Sequence, residues 1–174
     1  MQRGKRGFTV IELLVTLIVL GIVVSLGVPS LRNMVLDMRL SAATNDLLTF
    51  FNYARSEAAR RGARVTMCIS SDQATCATAG TDWGAGAVAF LDSDGNGQVN
   101  GAEVIVRVLD PRGDGVTITA TTAFSTNYYF YYRPSGASNS LGTLRVCRSG
   151  RNARDVAINA VGRPASQVTT TVCA

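Results

Sequence analysis

The chain has 174 residues, a formal net charge of +5 and no histidine. This length suits one globular domain, and any segment that lies in a membrane makes the domain smaller. The absence of histidine removes the commonest general base and the commonest metal ligand, so the composition disfavours catalysis. We therefore expect a protein that is not an enzyme.

The N-terminal segment predicts a membrane-spanning helix. Residues 8–31 are predominantly apolar and carry Glu12 as their only charge. As a helix they would extend roughly 36 Å, enough to cross a hydrocarbon core of about 30 Å. The cations within residues 1–7 precede this segment, so the positive-inside rule keeps the N-terminus in the cytoplasm. We expect a single pass through the inner membrane and a periplasmic head.

Three interpretations of this segment compete. A secretory signal peptide would place a cleavage site after the apolar run, and residues 25–27 imitate one. However, the apolar stretch is long and its helical periodicity continues beyond that point. A plain membrane anchor gives Glu12 no purpose. A carboxylate inside the bilayer costs roughly 2.5–3.5 kcal/mol, so Glu12 indicates a functional site with a partner.

The third interpretation rests on a resemblance. Residues 7–12, Gly-Phe-Thr-Val-Ile-Glu, resemble the cleavage and assembly motif of type IV prepilins. The resemblance implies that a prepilin peptidase cuts between Gly7 and Phe8, which removes residues 1–7 as a leader, and that the new N-terminus is methylated. It also implies that Glu12 pairs with the terminal amine of a neighbouring pilin or pseudopilin. Such pairing offsets the cost of burying both charges.

Residues 32–62 predict an amphipathic helix that continues the first one and stops at Gly62. The segment 53–58 is similar to the helix end of minor pilins of the FimT and FimU kind, and of pseudopilin H of type II secretion. We interpret three arginines near this end as solvated: Arg55, Arg60 and Arg61.

Residues 63–174 are rich in glycine, threonine and β-branched residues with frequent turn signals, which predicts a β-rich head. The candidate strands are residues 64–70, 86–92, 103–109, 116–120, 128–133, 143–148, 155–159 and 169–173. The predicted fold is α+β. A long N-terminal helix, half transmembrane and half amphipathic, packs on antiparallel β-sheets in the lollipop shape of a pilin.

Four cysteines in a chain with an export-like N-terminus indicate disulfides, for which three pairings are possible. We favour Cys68–Cys76 and Cys147–Cys173, because each bond closes one local loop. The first would hold the loop after the first strand. The second would fasten the last strand to its sheet.

Residues 92–103 match the EF-hand calcium-loop template at every constrained position. Six residues would supply oxygen ligands: Asp92, Asp94, Asn96, Gln98 through its carbonyl, Asn100 and Glu103. The flanking segments predict strands, whereas an EF-hand has helices there, so a β-hairpin turn is the alternative. No other cofactor is expected.

Residues 128–132 are all aromatic, and as a strand they should bury one face in the core. A stacking platform for single-stranded bases is the alternative.

Arginines accumulate in the C-terminal region, which we interpret as a loop able to bind double-stranded DNA through its phosphates. The candidate contacts are Arg148, Arg151, Arg154 and Arg163. In FimT-like minor pilins a C-terminal Gly-Arg-x-Arg motif is associated with DNA capture for natural transformation. Residues 162–165 resemble that motif but lack its second arginine. The alternative is a solvated loop, or an arginine paired with an acid such as Asp155.

The sequence therefore predicts a minor pilin that helps to initiate or cap a type IV pilus, with DNA capture as an additional activity. A pseudopilin H-like subunit of a type II secretion system is the alternative, because both machines use the same N-terminal signal. A membrane-anchored periplasmic enzyme is a further alternative. It would need a convergent set of titratable residues outside the aspartate-rich turn.

Overall fold

The computed structural model describes residues 7–101, 103–121 and 128–174. Residues 1–6 of the predicted leader lie outside this range. The described chain begins with helix α1 (Val10–Arg61), and strands follow it. The chain divides into two units, Met1–Asp37 and Met38–Ala174.

Among its described residues the first unit contains the beginning of α1, and the side chains there are mostly exposed. Its large apolar residues from Phe8 to Val35 have exposed fractions between 40% and 82%. An 18-residue window of α1 reaches a mean hydropathy of 2.7, and among the described residues α1 is the helix long and apolar enough to cross a membrane. A helix that is apolar on all sides suits lipid or helical partners better than water.

Helix α1 ends where the sequence predicts, at Gly62. This glycine has a φ of +62°, which other residues adopt only with strain. The backbone N–H of Ala63 donates to the carbonyl of Ala58 at 3.3 Å, the bond that closes a Schellman motif. The chain therefore leaves the helix through a glycine-dependent cap and enters the first strand directly.

Within the described residues of the second unit, eight strands form two antiparallel four-stranded sheets. The strands are β1 (Val65–Ile69), β2 (Ala87–Leu91), β3 (Ile105–Leu109), β4 (Val116–Ala120), β5 (Tyr129–Tyr132), β6 (Gly142–Arg148), β7 (Asn152–Ile158) and β8 (Pro164–Val172). The first sheet has the order β3-β2-β1-β5 and the second the order β4-β6-β7-β8. A 3₁₀ helix, Trp83–Ala85, precedes β2. The predicted α+β class, with a long helix on antiparallel sheets, is confirmed.

The C-terminal part of α1 packs on the sheets through one apolar stripe. Its buried residues recur every three or four positions, as an amphipathic helix requires. They are Leu40, Ala43, Leu47, Phe50, Phe51, Ala54 and Ala58. They share one core with side chains from both sheets, among them Met67, Phe130 and Ile118. The core therefore lies between the helix and the two sheets.

Strands β1 and β2 are buried on both faces. Met67 and its alternate neighbours face the main core, whereas Cys68, Val88 and Phe90 form a second, smaller apolar cluster on the other side. The disulfide Cys68–Cys76 joins this cluster to the loop after β1. With both faces covered, β1 and β2 are apolar at every position except Thr66 rather than alternating.

The second sheet has one face in the core and one in solvent. Strand β4 alternates strictly between buried and exposed residues, as expected for a half-buried strand. Strands β7 and β8 begin three and five residues earlier than predicted, so the C-terminal region is largely strand. The disulfide Cys147–Cys173 ties the end of β8 to β6. Both disulfides are the pairs that the sequence favours.

The aromatic segment forms β5, where Phe130 and Tyr132 are buried and Tyr129 and Tyr131 are half-buried. This alternation is the predicted one. Arg64 covers part of the outer face, because its guanidinium carbon lies 3.7 Å from the centre of the Tyr131 ring. Tyr131 is therefore already stacked by a cation of the same chain.

Candidate functional sites

The predicted assembly motif lies at the start of α1. The backbone N–H of Glu12 donates to Thr9 Oγ1 at 3.3 Å, and the N–H of Leu13 donates to the Thr9 carbonyl at 3.1 Å. Thr9 therefore caps the helix and Glu12 is the third helical residue, where a carboxylate complements the positive end of the helix dipole. Phe8 precedes the cap and is 82% exposed. The fold thus places the glutamate about one helical turn after the predicted cleavage point.

Arg55, predicted to be solvated, instead contacts two distant loops. Its Nε donates to the Gly136 carbonyl at 2.9 Å and its Nη2 donates to the Val161 carbonyl at 3.0 Å. The first of these bonds is half-buried and the second is exposed, and hydrogen bonds that involve a charged group contribute about 1.5–3 kcal/mol, with exposed ones at the lower end. The solvated interpretation of Arg55 is therefore wrong, and this side chain holds loops of the head against α1.

Glu57 is a buried acid that was not among the predicted site residues. It is 3% exposed, and its carboxylate binds Arg60 at 2.7 Å and also Arg61. The hydrogen bond from Arg60 is the main cause that lowers the pKa of Glu57. Arg60 and Arg61 are thus partners of a buried charge rather than a solvated end alone. Their spacing of three and four residues from Glu57 was the available signal.

The aspartate-rich segment forms the loop between β2 and β3. It is flanked by the strands β2 and β3 rather than by helices. The backbone is therefore that of the predicted β-hairpin and not the helix-loop-helix of an EF-hand. Asp92, Asp94 and Glu103 nevertheless each place a carboxylate oxygen within 4.8 Å of the other two. Glu103 accepts hydrogen bonds from the backbone N–H groups of Ser93 at 2.8 Å and Asn100 at 3.2 Å. The loop therefore folds around its acids.

Asp92 is the buried end of this cluster and is 3% exposed. Its Oδ2 accepts hydrogen bonds from the Thr66 hydroxyl and from the N–H of Gly97 at 3.2 Å. The Nη2 of Arg64 lies 2.9 Å from the same oxygen. The other oxygen of Asp92, Oδ1, is buried and has no hydrogen-bond partner among the described residues.

Asp94 is the exposed member of the cluster. Its Oδ2 accepts from the side-chain amides of Asn96 at 2.8 Å and Asn100 at 3.0 Å, and its Oδ1 accepts from the backbone N–H of Asn96. These donors, the Asn100 amide foremost, lower the pKa of Asp94. The Asn96 Oδ1 atom accepts from the N–H of Gln98 at 2.7 Å. The six predicted ligand residues thus belong to one continuous loop.

The C-terminal arginines lie mainly on or beside strands, so the predicted arginine-rich loop is wrong as a description of the backbone. Arg145 is on β6 and forms two hydrogen bonds of 2.8 Å with Asp155 on β7. The hydrogen bond to Asp155 raises the pKa of Arg145. Arg145 is thus an arginine paired with Asp155, which is the predicted alternative to a DNA contact.

Three of the four candidate DNA contacts lie around the β6–β7 turn. Arg148 ends β6 and donates to the Asp114 carbonyl, Arg151 lies in the turn, and Arg154 is on β7. Arg154 is opposite Val146, two residues before Arg148, so the strand register puts Arg148 and Arg154 on the same face of the sheet.

The fourth candidate, Arg163, lies elsewhere. Its N–H donates to Asn159 Oδ1 at 2.8 Å, in the turn between β7 and β8. At 3.3 Å per residue, the length of β7 separates this turn from Arg151 by roughly 25 Å. The structure therefore brings three of the four predicted arginines together and leaves Arg163 at the opposite end of the sheet.

Comparison with known families supports these observations. Residues 43–162 match the family model described as type II transport protein GspH, and residues 2–28 match the model of the prokaryotic N-terminal methylation motif. The GspH match spans well over half of the chain. A search of curated proteins gave no significant match.

Two crystal structures of the type IV minor pilin FimU from Pseudomonas aeruginosa strain PAO1 share the fold. One has a TM-score of 0.61 and 19% identity, covering 78% of this chain and 96% of the FimU chain. The other, in a different space group, has a TM-score of 0.58 and 19% identity, covering 75% of this chain and 98% of the other. At this identity the likeness establishes the fold.

The methylation motif and the apolar helix identify a membrane-anchored protein with a soluble head. Members of the pilin and pseudopilin family assemble with other pilin subunits. The chain therefore belongs to the family described as type II transport protein GspH, and it carries the prokaryotic N-terminal methylation motif.

Proposed function

We propose that this chain is a minor pilin that helps to initiate or cap a type IV pilus. The observation that supports this role best is Glu12, the single charge in residues 8–31 of an apolar helix with exposed side chains. The structural likeness to the minor pilin FimU, over 78% of this chain, adds support. The role is one of helix packing and surface presentation, with no chemistry of its own.

The assembly step follows from the electrostatics of the first helix. Cleavage between Gly7 and Phe8 by a prepilin peptidase creates a cationic amine at Phe8, and methylation leaves its charge in place. Glu12 of an incoming subunit is costly to hold in the bilayer alone. Pairing with the amine of a neighbouring subunit offsets the burial of both charges, so docking is favoured only when a partner is present. The head stays on the periplasmic side of the inner membrane.

Two measurements test this proposal. The intact mass of the membrane-extracted protein should show loss of residues 1–7 and one added methyl group. Glu12→Ala should still be processed but should enter filaments far less than the wild type. Thr16→Ala is the matched control, because Thr16 lies one turn further along the helix and its hydroxyl bonds only within it, to the Leu13 carbonyl at 2.8 Å. Wild-type incorporation of Glu12→Ala would contradict the docking role.

A pseudopilin H-like role in type II secretion is the alternative, and the description of the matching family model favours it. Deletion of the gene distinguishes the two machines. Loss of twitching with normal secretion supports the pilus, whereas loss of secretion with normal twitching supports the pseudopilus.

The arginines around the β6–β7 turn support a second candidate function, capture of double-stranded DNA for natural transformation. Phosphate contacts by arginine give salt-dependent binding without sequence preference. The triple variant Arg148→Ala, Arg151→Ala and Arg154→Ala should lose retardation of duplex DNA at low salt. Arg163→Ala is the internal control, since it lies at the other end of the sheet. Equal retardation by the triple variant and the wild type would exclude this surface.

A further inference from the structure

We propose that the β2–β3 loop is a calcium-binding site, with Asp92, Asp94 and Glu103 as its carboxylate ligands. This site is independent of the filament role proposed above. Asp92 and Asp94 lie at the start of the loop and Glu103 at its end, yet each offers an oxygen within 4.8 Å of the others. A divalent cation between them would lie within coordination distance of all three after small side-chain adjustments.

The orphaned oxygen of Asp92 points to a ligand independently of the clustering. Asp92 is 3% exposed, and its Oδ2 accepts hydrogen bonds from the Thr66 hydroxyl and the Gly97 N–H. The Nη2 of Arg64 lies 2.9 Å from the same oxygen as an ion pair, without hydrogen-bond geometry. Oδ1 is buried and has no hydrogen-bond partner within the part of the chain that the structure describes. Leaving a buried charged oxygen unsatisfied is costly. A cation bound by Oδ1 would remove that cost and explain why the fold keeps a carboxylate at this position.

The charge of the cluster matches a divalent ion. Three carboxylates carry three negative charges, and the guanidinium of Arg64, 2.9 Å from Asp92 Oδ2, compensates one of them. Two negative charges remain for the ion. Compensation by Arg64 also weakens attraction to the cation, which suits a site of modest affinity rather than a high-affinity buffer site.

The remaining ligands are neutral oxygens, as Ca²⁺ prefers. The side-chain amides of Asn96 and Asn100 now donate to Asp94 Oδ2 at 2.8 and 3.0 Å. A half-turn of the Asn100 amide replaces its NH₂ group with its carbonyl oxygen. The same turn at Asn96 also gives up the hydrogen bond that its Oδ1 accepts from the Gln98 N–H at 2.7 Å. The two amide oxygens and the Gln98 carbonyl, added to the three carboxylates, would bring the ligand residues to as many as six. Mg²⁺ demands near-ideal octahedral geometry and retains waters, so a flexible, protein-rich oxygen set favours Ca²⁺.

The position of the loop predicts a structural effect. Asp92 directly follows β2 and Glu103 precedes β3, so one ion would cross-link the two strand ends. Ca²⁺ should therefore stabilise the head by binding the folded state only.

The test uses the full chain in detergent, followed by thermal unfolding with added Ca²⁺ or Mg²⁺. We expect Ca²⁺ to raise the Tm with half-saturation on the order of 10⁻⁴–10⁻³ M, the range of extracellular calcium modules. Asp94→Asn and Glu103→Gln should weaken the response by about tenfold or more, because affinity follows ligand charge. These variants are preferred to Asp92 variants, which would also break the buried pair with Arg64. Asp110→Asn, an exposed acid outside the cluster, should respond as the wild type.

A direct readout comes from Tyr129. A Cβ atom on Gly97 would lie 2.9 Å from the Tyr129 ring, so this ring packs against the loop backbone. Tb³⁺, which replaces Ca²⁺ at oxygen sites, should show luminescence sensitised by Tyr129, and added Ca²⁺ should displace it. Tyr129→Phe should lose most of the luminescence while keeping the Tm response to Ca²⁺.

Four results would overturn the proposal: no Tm response to about 10 mM Ca²⁺, an equal response to Mg²⁺, an equal loss in Asp110→Asn and Glu103→Gln, or Tb³⁺ luminescence unaffected by Ca²⁺.

Discussion

The rings of Phe51 and Phe130 meet edge to face, with centroids 5.8 Å apart and planes at 85°. Phe51 belongs to α1 and Phe130 to β5, so this contact joins the helix to the first sheet. The Trp83 ring lies 6.0 Å from Phe51 on the side of the 3₁₀ helix. Since all three rings are almost fully buried, the packing of α1 on the head centres on Phe51.

Removing this ring should destabilise the head strongly. Phe51→Ala should lower the free energy of unfolding by about 3–5 kcal/mol, from lost burial and the cavity left behind. Trp83 is the single tryptophan, so its fluorescence reports the unfolding of the head when the full chain in detergent is titrated with denaturant. Asn45→Ala, exposed on the same helix, should change stability by less than about 0.5 kcal/mol. Similar losses in the two variants would contradict this account of the core.

The two disulfides should differ in how much they stabilise the head and in which segment they hold in place. In the chain-entropy model, the separation of 26 residues between Cys147 and Cys173 corresponds to about 3.5 kcal/mol, and the separation of 8 between Cys68 and Cys76 to about 2.5 kcal/mol. The double variant Cys147→Ser, Cys173→Ser should therefore expose β8 to hydrogen exchange. The double variant Cys68→Ser, Cys76→Ser should instead expose the loop after β1. Exchange that spreads identically in both variants would refute this division.

The paired hydrogen bonds between Arg145 and Asp155 should be measurable as a coupling. Asp155 is 7% exposed, so removing Arg145 leaves a nearly buried charge without its partner. Arg145→Ala should cost about 1.5–3 kcal/mol of unfolding free energy. A double-mutant cycle with Asp155→Ala and the double variant gives the interaction energy between the two side chains. If the losses of unfolding free energy in the two single variants simply add up in the double variant, the pair contributes nothing of its own.

Acid should weaken the loop closed by Cys68 and Cys76. The hydroxyl and backbone N–H of Thr75, with further donors, lower the pKa of Asp72 well below its usual range. The ionised carboxylate therefore stabilises the fold above about pH 4, the pKa of an unfolded aspartate, and this contribution is lost as the pH falls further. The stability difference between wild type and Asp72→Asn should shrink between pH 5 and about pH 2. A difference that does not vary with pH would disprove the role of Asp72.

A second variant separates the hydroxyl from the other donors. Thr75→Val removes the hydrogen bond of 2.6 Å to Asp72 Oδ2 and leaves the backbone donors in place. It should reduce the acid dependence in the same direction but less completely.

Most of the fold follows from local patterns in the sequence. The apolar stripe of α1 and its stop at Gly62 depend on residues close in the chain, as do the alternating strands such as β4. The start of β8 was predicted too late, because residues 164–168 show no apolar alternation. Strand β8 is exposed at nearly every position, so no buried face imposes a pattern on it.

The sites were predictable only where their residues are neighbours in sequence. The spacing of residues 92–103 indicated one cluster of oxygens, and the structure gathers its acids. The partner of Asp92 was not predictable, because Arg64 precedes a different strand and meets it only through the pairing of β1 with β2. The separation of Arg163 from Arg151 was likewise not predictable, because it depends on where β7 begins and ends and therefore on the turn in which each arginine lies.

The bond between Cys147 and Cys173 encloses the whole β7–β8 hairpin, including its exposed turn at Val161. A protease that nicks this turn would therefore produce two pieces that still migrate as one band on a gel. Only a reducing agent would release the C-terminal piece. A subunit on a cell surface could thus be clipped there and keep every part of its head.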